Sequence, residues 1–414
     1  MILIGQIITL FGSSILRFAL SLFILDLTGS AEIFALLLAI STLPTILLSP
    51  IGGVIADRMN RRNLMVLFDL ISSMVTGGLL VFLYLSQDMV PLIGIVMTIL
   101  ALVSTFYQPT VQASIPVLVE EKDLIKANGA VSGINAITNF AGPVLGGLLY
   151  GFTGIKMIVG ITFICFLIAA IIECFIRMPF TPKVRQHGTF KTIVMDLSAG
   201  FNYIRKDNPF LLKIILIAAS INLFITPLFL VGIPYIVKVL MNMDDQYFGY
   251  TQGGISLSMI MAAAAIGWIA GKLKVSNLYM CFLGCGIIFI PMAGAIYPTF
   301  LSAGDVPFLE YIVFSLCAML IMFVLTLVNI FFTTLLQQQT PNALLGKVMA
   351  ILLTISTCAV PIGQIVMGTL MDQFTDRLYI LVLAIGFITI MISIIMKKLL
   401  VFRAKREEPL TSNA

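Results

Sequence analysis

Long apolar stretches separated by short polar breaks dominate the hydrophobic pattern of this 414-residue chain. Each stretch is about 20 residues long or slightly longer, as an α-helix must be to cross the ~30 Å hydrocarbon core of a bilayer. Lipid cannot satisfy free backbone groups, and the short alternating strands typical of a β-barrel are absent, so continuous helices are predicted. The predicted spans lie near residues 2–26, 33–56, 64–86, 90–112, 126–152, 156–177, 210–238, 248–272, 276–298, 308–336, 343–371 and 377–400.

One polar stretch, residues 178–208, divides these twelve segments into two sets of six. Its second part spaces apolar side chains three and four residues apart, which predicts an amphipathic helix at the membrane surface. Residues 116–147 and 340–368 resemble each other, which favours a parallel duplication. The predicted fold is an all-α polytopic membrane protein with twelve transmembrane helices in two pseudo-symmetric six-helix bundles. Its predicted parts are an N-terminal bundle (1–177), a cytoplasmic linker (178–208), a C-terminal bundle (209–400) and a cytoplasmic tail (401–414).

Composition supports a membrane protein and narrows the chemistry. Hydrophobic residues make up 60% of the chain and the mean hydropathy is +1.10, more apolar surface than a soluble protein of this size can bury. A single His excludes a His-rich metal site, and the six Cys all fall inside apolar segments, where small buried side chains are the simplest interpretation. No cofactor or bound metal is predicted. The net charge of +5 arises mainly from loops and does not indicate nucleic-acid binding.

Basic residues predict the orientation of the chain. With both termini in the cytoplasm, the inner loops and tails hold nearly all Lys and Arg residues, whereas the outer side holds Lys156, Lys238 and Arg377. Because positive residues are retained on the cytoplasmic side, the predicted topology has both termini inside.

A charged decapeptide follows the second apolar segment: Gly53-Val-Ile-Ala-Asp57-Arg58-Met-Asn60-Arg61-Arg62. The arginines would stabilise the negative end of a helix, and they would also serve as ordinary positive-inside anchors, although orientation alone does not require Asp57. The arrangement resembles the signature loop after the second helix of the major facilitator superfamily of transporters. That resemblance implies that Gly53, Asp57, Arg58, Arg61 and Arg62 help to hold the two halves together during transport. The family usually has Gly where this chain has Asn60. Because Asn is the non-glycine residue that best tolerates a left-handed backbone, the turn is expected to survive.

A second motif, Gly142-Pro143-Val-Leu-Gly146-Gly147, lies in the fifth segment. Pro143 is expected to kink the helix, and the glycines would allow another helix to approach closely. A packing kink without further meaning remains an alternative. The motif resembles the helix-five signature of drug–proton antiporters, which implies a conformational role for Gly142, Pro143, Gly146 and Gly147.

Polar side chains form stripes within six of the apolar segments, in both halves. One stripe in the first segment contains Gln6, Thr9, Ser13, Arg17 and Ser21. Any one stripe is explained equally well by hydrogen bonding between helices, but six together favour a shared wet cavity. From these stripes the candidate substrate-binding residues are Arg17, Ser13, Gln108, Asn135, Asn139, Asn222, Thr226, Asn329 and Thr333.

Arg17 stands near the middle of its segment, where insertion of an arginine costs roughly 2.5–3.5 kcal/mol. We expect it to meet water and an anionic or carbonyl-rich substrate group, although contacts with helix-end carbonyls or a polar neighbour would also explain it. Carboxylates are scarce at that depth. Asp26 and, behind it, Glu173 are the candidates for proton coupling, whereas Asp69 lies near a segment end. The arginine often found on helix four of drug–proton antiporters is missing.

The whole chain resembles the bacterial macrolide-efflux type of facilitator, a drug–proton antiporter type with siderophore exporters among its neighbours. The resemblance rests on the two motifs and on residues 28–31, 109–116, 127–128 and 338–347. It implies a non-enzymatic, monomeric transporter in the bacterial cytoplasmic membrane, with the lipid bilayer, a small-molecule substrate and protons as partners. Its expected function is export of an amphipathic, drug-like molecule by alternating access and proton antiport. Export of an anionic amphiphile such as a siderophore or lysophospholipid, and a non-transporting scaffold or receptor, remain alternatives.

Overall fold

The structure is a computed structural model that describes residues 2–85, 89–118, 124–176, 178, 201–269, 277–301 and 307–407. Its regular structure within these ranges is helical. The chain divides into two compact units, one formed by Met1–Val194 with Asp244–Gly253 and the other by Met195–Met243 with Gly254–Ala414. Each unit has its own packing.

Five helices account for most of the first unit: α1 (Ile2–Thr28), α2 (Ala31–Arg58), α3 (Arg61–Leu85), α4 (Val90–Leu118) and α5 (Leu124–Cys174). At Gly154 the backbone of α5 leaves helical geometry, with φ 70° and ψ 176°, so α5 consists of two arms. These arms correspond to the predicted segments 126–152 and 156–177. Helix α1 packs along α5, α2 along α4, and α3 against both α4 and α5.

The turn between α1 and α2 shows how a short polar sequence reverses the chain. Gly29 has φ 60°, a conformation that favours glycine, and its N–H donates to the Leu25 carbonyl at 2.8 Å. The Ser30 hydroxyl then accepts from the Ile33 N–H at 3.2 Å and so caps the start of α2. Two residues between helices therefore suffice for the reversal.

The second unit contains α6 (Pro209–Phe224), most of α7 (Asp245–Ile269), α8 (Leu278–Ala295), α9 (Phe308–Gln338), α10 (Asn342–Gln373) and α11 (Leu378–Glu407). After α6 the chain continues through two π-helical turns, Leu228–Gly232 and Ile236–Leu240. Pro227 precedes the first turn and Pro234 lies between the two. Because proline has no N–H to donate, the regular α-helical ladder is interrupted there.

Apolar packing holds the second unit together where α6, α8, α9, α10 and α11 meet. Phe282 and Phe332 stack with ring centroids 6.2 Å apart. Around them lie fully buried Ile215, Leu278 and Leu336. Many large apolar side chains on the outer helix faces are exposed, as expected for helices that contact lipid tails.

Nine helices in the described part of the chain are long and apolar enough to cross a membrane. Each predicted apolar segment overlaps a helix of the structure, and most ends differ by a few residues. The segment 210–238 differs more, since α6 ends at Phe224 and the π-helical turns continue from there to Leu240. The total of twelve spans, the pseudo-symmetry and the domain boundaries stay predictions. Most of the predicted amphipathic helix, residues 190–200, lies outside the described residues. The described end of the linker is a π-helical turn at Tyr203–Asp207.

Asn60 does not use the left-handed backbone that asparagine tolerates. Asn242 is the one non-glycine residue with positive φ in the described ranges. Asn60 instead precedes α3, where its side-chain oxygen accepts from the Asn63 N–H at 3.4 Å and its carbonyl accepts from the Leu64 N–H at 3.0 Å. An asparagine suits this position because its short side chain caps orphan donors at a helix start, which requires no left-handed turn.

Replacing Gly363 with Ala should destabilise the second unit. A Cβ at Gly363 would lie 2.3 Å from the Leu223 carbonyl oxygen and 2.5 Å from Pro227 Cγ, so α10 and α6 would have to separate. Overpacking of this kind costs about 1–3 kcal/mol. We expect Gly363→Ala in detergent to have a lower midpoint of thermal unfolding than the wild type. Size-exclusion chromatography of heated samples measures this midpoint. Gly284→Ala is the matched control, since nothing lies within 4 Å of a Cβ at that helical glycine. Equal midpoints for the two variants would contradict the close packing of α10 on α6.

Candidate functional site

A cavity of about 420 Å³ lies within the first unit, between α1, α2, α3 and α4. Its volume is typical of pockets that bind small molecules. Leucine, methionine and alanine side chains form part of the wall, as expected between membrane helices. The polar part of the wall consists of Thr9, Ser13, Arg17, Ser41, Thr42, Ser72, Ser104, Thr105, Tyr107 and Gln108.

Arg17 is the charged residue in this wall. It retains more than a third of its accessible surface while lining the cavity. Its guanidinium has no hydrogen-bond or ion-pair partner among the described residues, and its carbonyl accepts from the Ser21 hydroxyl at 2.8 Å. A guanidinium carries five N–H donors. Arg17 therefore presents unused donors to whatever occupies the cavity.

Three predicted substrate-binding residues, Ser13, Arg17 and Gln108, come together in this cavity. The side chains of two others, Asn135 and Asn139, lie outside the described residues, although α5 passes through both positions. Three further hydroxyl residues of the wall, Ser41 and Thr42 on α2 and Ser72 on α3, were not among the predicted site residues. The cavity unites them through tertiary packing.

The remaining four candidates belong to the second unit and form two similar pairs. The Thr226 hydroxyl donates to Asn222 Oδ1 at 3.1 Å, and the Thr333 hydroxyl donates to Asn329 Oδ1 at 3.5 Å. Each pair spans one turn of its own helix. Asn222 also donates through Nδ2 to the Ala218 carbonyl at 3.3 Å. These contacts satisfy polar atoms locally, and a substrate-binding role for the four residues stays a prediction.

The predicted charged loop, residues 53–62, spans the end of α2 and the start of α3, and its described contacts concern its last residues. Arg62 donates through Nη2 to the Cys174 carbonyl at the end of α5, where a cation complements the exposed carbonyls of a helix terminus. Arg61 is half-buried. The side chains of Asp57 and Arg58 and the surroundings of Gly53 lie outside the described residues. Arg62 thus ties the start of α3 to α5 within one unit.

The glycine motif on α5 makes room for close neighbours. A Cβ at Gly142 would lie 2.1 Å from Ser14 Oγ, and one at Gly146 would lie 3.1 Å from the Phe18 side chain, so α1 approaches the first arm of α5 closely. A Cβ at Gly147 would lie 2.9 Å from the Cα of Gly249 at the start of α7. Pro143 is accommodated inside the helix. Small residues permit this approach because lipid-embedded helices associate through close packing.

The two predicted coupling carboxylates lie in different environments. Asp26, near the end of α1, accepts a hydrogen bond from the Tyr150 hydroxyl at 2.5 Å. Glu173, near the end of α5, is fully buried and accepts from the Tyr107 hydroxyl at 2.8 Å. A fully buried carboxyl group in a membrane helix is expensive and usually functional.

Asp69 on α3 is a candidate that sequence reasoning missed. It is fully buried and accepts from the Thr9 hydroxyl at 3.0 and 3.1 Å, and it lies within hydrogen-bonding reach of Glu173. A signal existed: with Ser72, Ser73 and Thr76, Asp69 forms a polar stripe at helical spacing. All four side chains are buried.

Comparison with known proteins identifies the family. The family model described as Major Facilitator Superfamily matches residues 2–363. The chain is 24% identical over 372 residues to macrolide efflux protein A of Streptococcus pyogenes, an alignment that covers 89% of this chain and 88% of that protein. It is 23% identical over 338 residues to macrolide efflux protein A of Enterococcus faecalis, covering 81% of this chain and 99% of that protein.

Among solved structures, a bacterial homologue of the iron transporter ferroportin in an inward-facing state superposes with a TM-score of 0.69. The superposition covers 95% of this chain and 97% of the other at 17% identity, so the likeness concerns the fold. Together with the apolar helices, these matches identify a multi-pass membrane protein whose relatives include efflux proteins. The family match spans most of the chain, and the chain belongs to the Major Facilitator Superfamily of transporters.

Proposed function

We propose that this transporter exports an amphipathic small molecule, of the macrolide or drug-like kind, across the bacterial cytoplasmic membrane in exchange for protons. The observation that carries the proposal is the mixed polar and apolar cavity around Arg17. Relatives named macrolide efflux proteins support the direction of transport and the class of substrate.

The wall of the cavity suits a molecule with both apolar and polar parts. Leu10, Leu38, Met97 and Leu100 offer apolar surface, and the hydroxyls and Gln108 offer directional hydrogen bonds. Methionine adapts to irregular shapes, which favours a site with broad selectivity. A substrate with a rigid apolar body and several oxygen atoms would use both kinds of surface.

Transport is proposed to occur by alternating access of two six-helix bundles, with both termini in the cytoplasm. The glycines at 142 and 146 support this proposal because they pack α1 closely against α5, which lets the two helices move as one body. The charged segment from Gly53 to Arg62, at the end of α2 and the start of α3, is proposed to stabilise one of the alternating states. Arg62, which donates to a helix-end carbonyl, is the described part of that loop.

A second candidate function, export of an anionic amphiphile, is favoured by one observation. Arg17 presents an unpaired guanidinium to the cavity within the described part of the chain. A guanidinium binds carboxylate and phosphate groups through paired, charge-assisted hydrogen bonds. An acidic headgroup beside Arg17 with an acyl or aromatic body along the leucines would fill the same cavity.

Export of a macrolide is tested by accumulation of radiolabelled erythromycin in a bacterial strain that lacks its own efflux pumps. Cells that produce the transporter should accumulate several-fold less drug than cells with an empty vector, and a protonophore should remove the difference. The reason is that uphill export needs the proton gradient. Equal accumulation with and without the transporter would contradict macrolide export. A difference that survives the protonophore would contradict proton coupling.

The anionic-substrate candidate predicts that Arg17→Ala lowers uptake of a fluorescent lysophosphatidylglycerol by everted membrane vesicles. Loss of charged hydrogen bonds costs about 1.5–3 kcal/mol, which corresponds to a decrease of about tenfold or more in affinity. Arg17→Lys keeps the charge and should retain part of the uptake. Lys213→Ala, which removes an exposed cation from α6, is the control for charge alone. Wild-type uptake by Arg17→Ala would exclude this candidate.

A water-accessible cavity predicts distinct thiol reactivity along α1 and α4. In a background without native cysteines, Ser13→Cys and Gln108→Cys should react rapidly with a membrane-impermeant methanethiosulfonate, because both positions line the cavity. Ala19→Cys on α1 should react slowly, since Ala19 is fully buried. Substrate-dependent protection of the two cavity positions would support binding there. Equally slow reaction at all three positions would mean a closed interior, which favours a scaffold over a transporter.

A further inference from the structure

The buried carboxyl groups of Asp69 and Glu173 form a pair where four helix segments meet. Asp69 comes from α3 and Glu173 from the second arm of α5, and α1 and α4 provide Thr9 and Tyr107. Both carboxyl groups are inaccessible to solvent, and Thr9 and Tyr107 are 6% and 3% exposed. The pair is therefore an internal feature of the first unit.

Hydrogen bonds around the pair are incomplete. Thr9 donates to Asp69, and Tyr107 donates to Glu173 Oε1. Glu173 Oε2 is buried and has no partner, although the two carboxyl groups lie within hydrogen-bonding reach of each other. Two ionised carboxylates accept hydrogen bonds and donate none. One carboxyl group can donate to the other only when it carries a proton.

Gln6 gives an independent sign that a polar site is unfilled here. It is fully buried, and neither its side-chain oxygen nor its nitrogen has a partner. It lies one turn before Thr9 on α1, and the neighbouring Gly5 would place a Cβ 3.1 Å from Glu173 Oε1. Buried amides normally make hydrogen bonds, so Gln6 leaves both a donor and an acceptor beside the pair.

Nearby charges do not compensate two buried anions. Within the described residues neither Asp69 nor Glu173 has a Lys or Arg partner. The facing ionisable groups are Tyr107, which donates to Glu173, and Arg17, which lines the adjoining cavity. Arg62, at the start of α3, donates to the Cys174 carbonyl at the end of α5. Two adjacent carboxylates in a dry site cannot both remain ionised at acceptable cost, and binding of one proton relieves the repulsion.

We propose that Asp69 and Glu173 share one proton and form the proton-binding site of this transporter. Binding adds one H⁺ across the two carboxylates, so their combined charge changes from −2 to −1, and Tyr107 and Thr9 remain donors in both states. In this proposal the pair, and not Asp26, has the coupling role. Asp26 accepts a hydrogen bond from Tyr150 elsewhere in the unit. Its role in coupling rests on the proposed proton-driven export, whereas proton binding itself does not.

The cavity connects the proton site with the substrate site. Thr9 and Tyr107, which hold the two carboxyl groups, also line the cavity that contains Arg17. The charge of the pair therefore acts on the cavity across one layer of side chains, where electrostatic interactions are poorly screened. Loss of the shared proton makes that end of the cavity more negative, so proton and substrate occupancy influence each other.

Infrared difference spectroscopy on purified protein tests the site without a substrate. At neutral pH exposed carboxyl groups are ionised, so a carboxylic-acid C=O band there reports a buried acid that holds its proton. We expect this band in the wild type, sensitive to H₂O/D₂O exchange and lost in alkaline buffer. Asp69→Asn and Glu173→Gln should each remove it. Tyr107→Phe should keep the band at a shifted frequency, because one hydrogen bond to the acid is lost. Asp376→Asn, at an exposed carboxylate, should leave it unchanged.

Absence of the band in the wild type, or its persistence in both pair variants, would overturn the proposed site. The infrared measurement is repeated with sodium chloride in place of choline chloride in the buffer. Loss of the carboxylic-acid band in sodium would show that the pair binds sodium instead of a proton. Within the described residues no group of three or more His, Cys, Asp and Glu side chains gathers as a metal site, so we expect sodium to have no effect.

Coupling is tested separately with erythromycin in proteoliposomes. Asp69→Asn and Glu173→Gln should lose accumulation driven by a pH gradient while retaining exchange of labelled for unlabelled drug across equal pH. Retained gradient-driven accumulation in both variants would contradict the coupling role. If the wild type transports no erythromycin, the proposed function fails for that substrate, and the infrared result alone decides the proton site.

Discussion

The lipid interior offers no hydrogen bonds, and this constraint explains where the polar atoms of the protein are found. Serine and threonine hydroxyls along the helices donate to carbonyls one turn earlier, as Thr98, Thr105 and Thr110 of α4 do at 2.7 Å. Because of these bonds, serine and threonine cost little free energy in a membrane helix. Groups that cannot be satisfied in this way, the guanidinium of Arg17 and the carboxyl groups of Asp69 and Glu173, gather instead inside the first unit. There water, a proton or a substrate can satisfy their hydrogen-bonding groups.

Close helix packing makes this arrangement possible. Gly142 and Gly146 bring α1 against the first arm of α5, and Gly5 brings the start of α1 to within contact of Glu173 on the second arm. Without a hydrophobic force between helices in lipid, such van der Waals contact is a main source of stability. The same helix, α1, carries Thr9 to the carboxyl pair and Ser13 and Arg17 to the cavity. A movement of α1 would therefore change both sites together.

Charge distribution gives the first unit its chemical character. Arg17 lines the cavity, and Tyr107 and Thr9 of the same wall donate hydrogen bonds to the buried acid pair behind it. The predicted site residues of the second unit form two pairs that bond within their own helices, Asn222 with Thr226 and Asn329 with Thr333. Each ionisable group costs several kcal/mol to bury inside the membrane, so such groups are usually found where they have a function. This contrast favours the first unit as the place where protons are bound.

Several features followed from the amino-acid sequence alone, because they depend on local composition. Apolar length predicted the helices, the positions of Gly142 to Gly147 predicted a tight contact, and the isolation of Arg17 in an apolar segment predicted a polar environment for it. The family was also recognisable, since Asp57 to Arg62 and the glycine motif are short contiguous patterns. Tertiary structure alone decided the rest. Asp69 and Glu173 are 104 positions apart in the sequence, and only the packing of α3 on α5 makes them a pair. Asn60 became a helix cap because its neighbours determined the start of α3. The physical reason is that hydrophobicity and backbone preference act between near neighbours, whereas the partner of a buried polar group is chosen by the way helices meet in space.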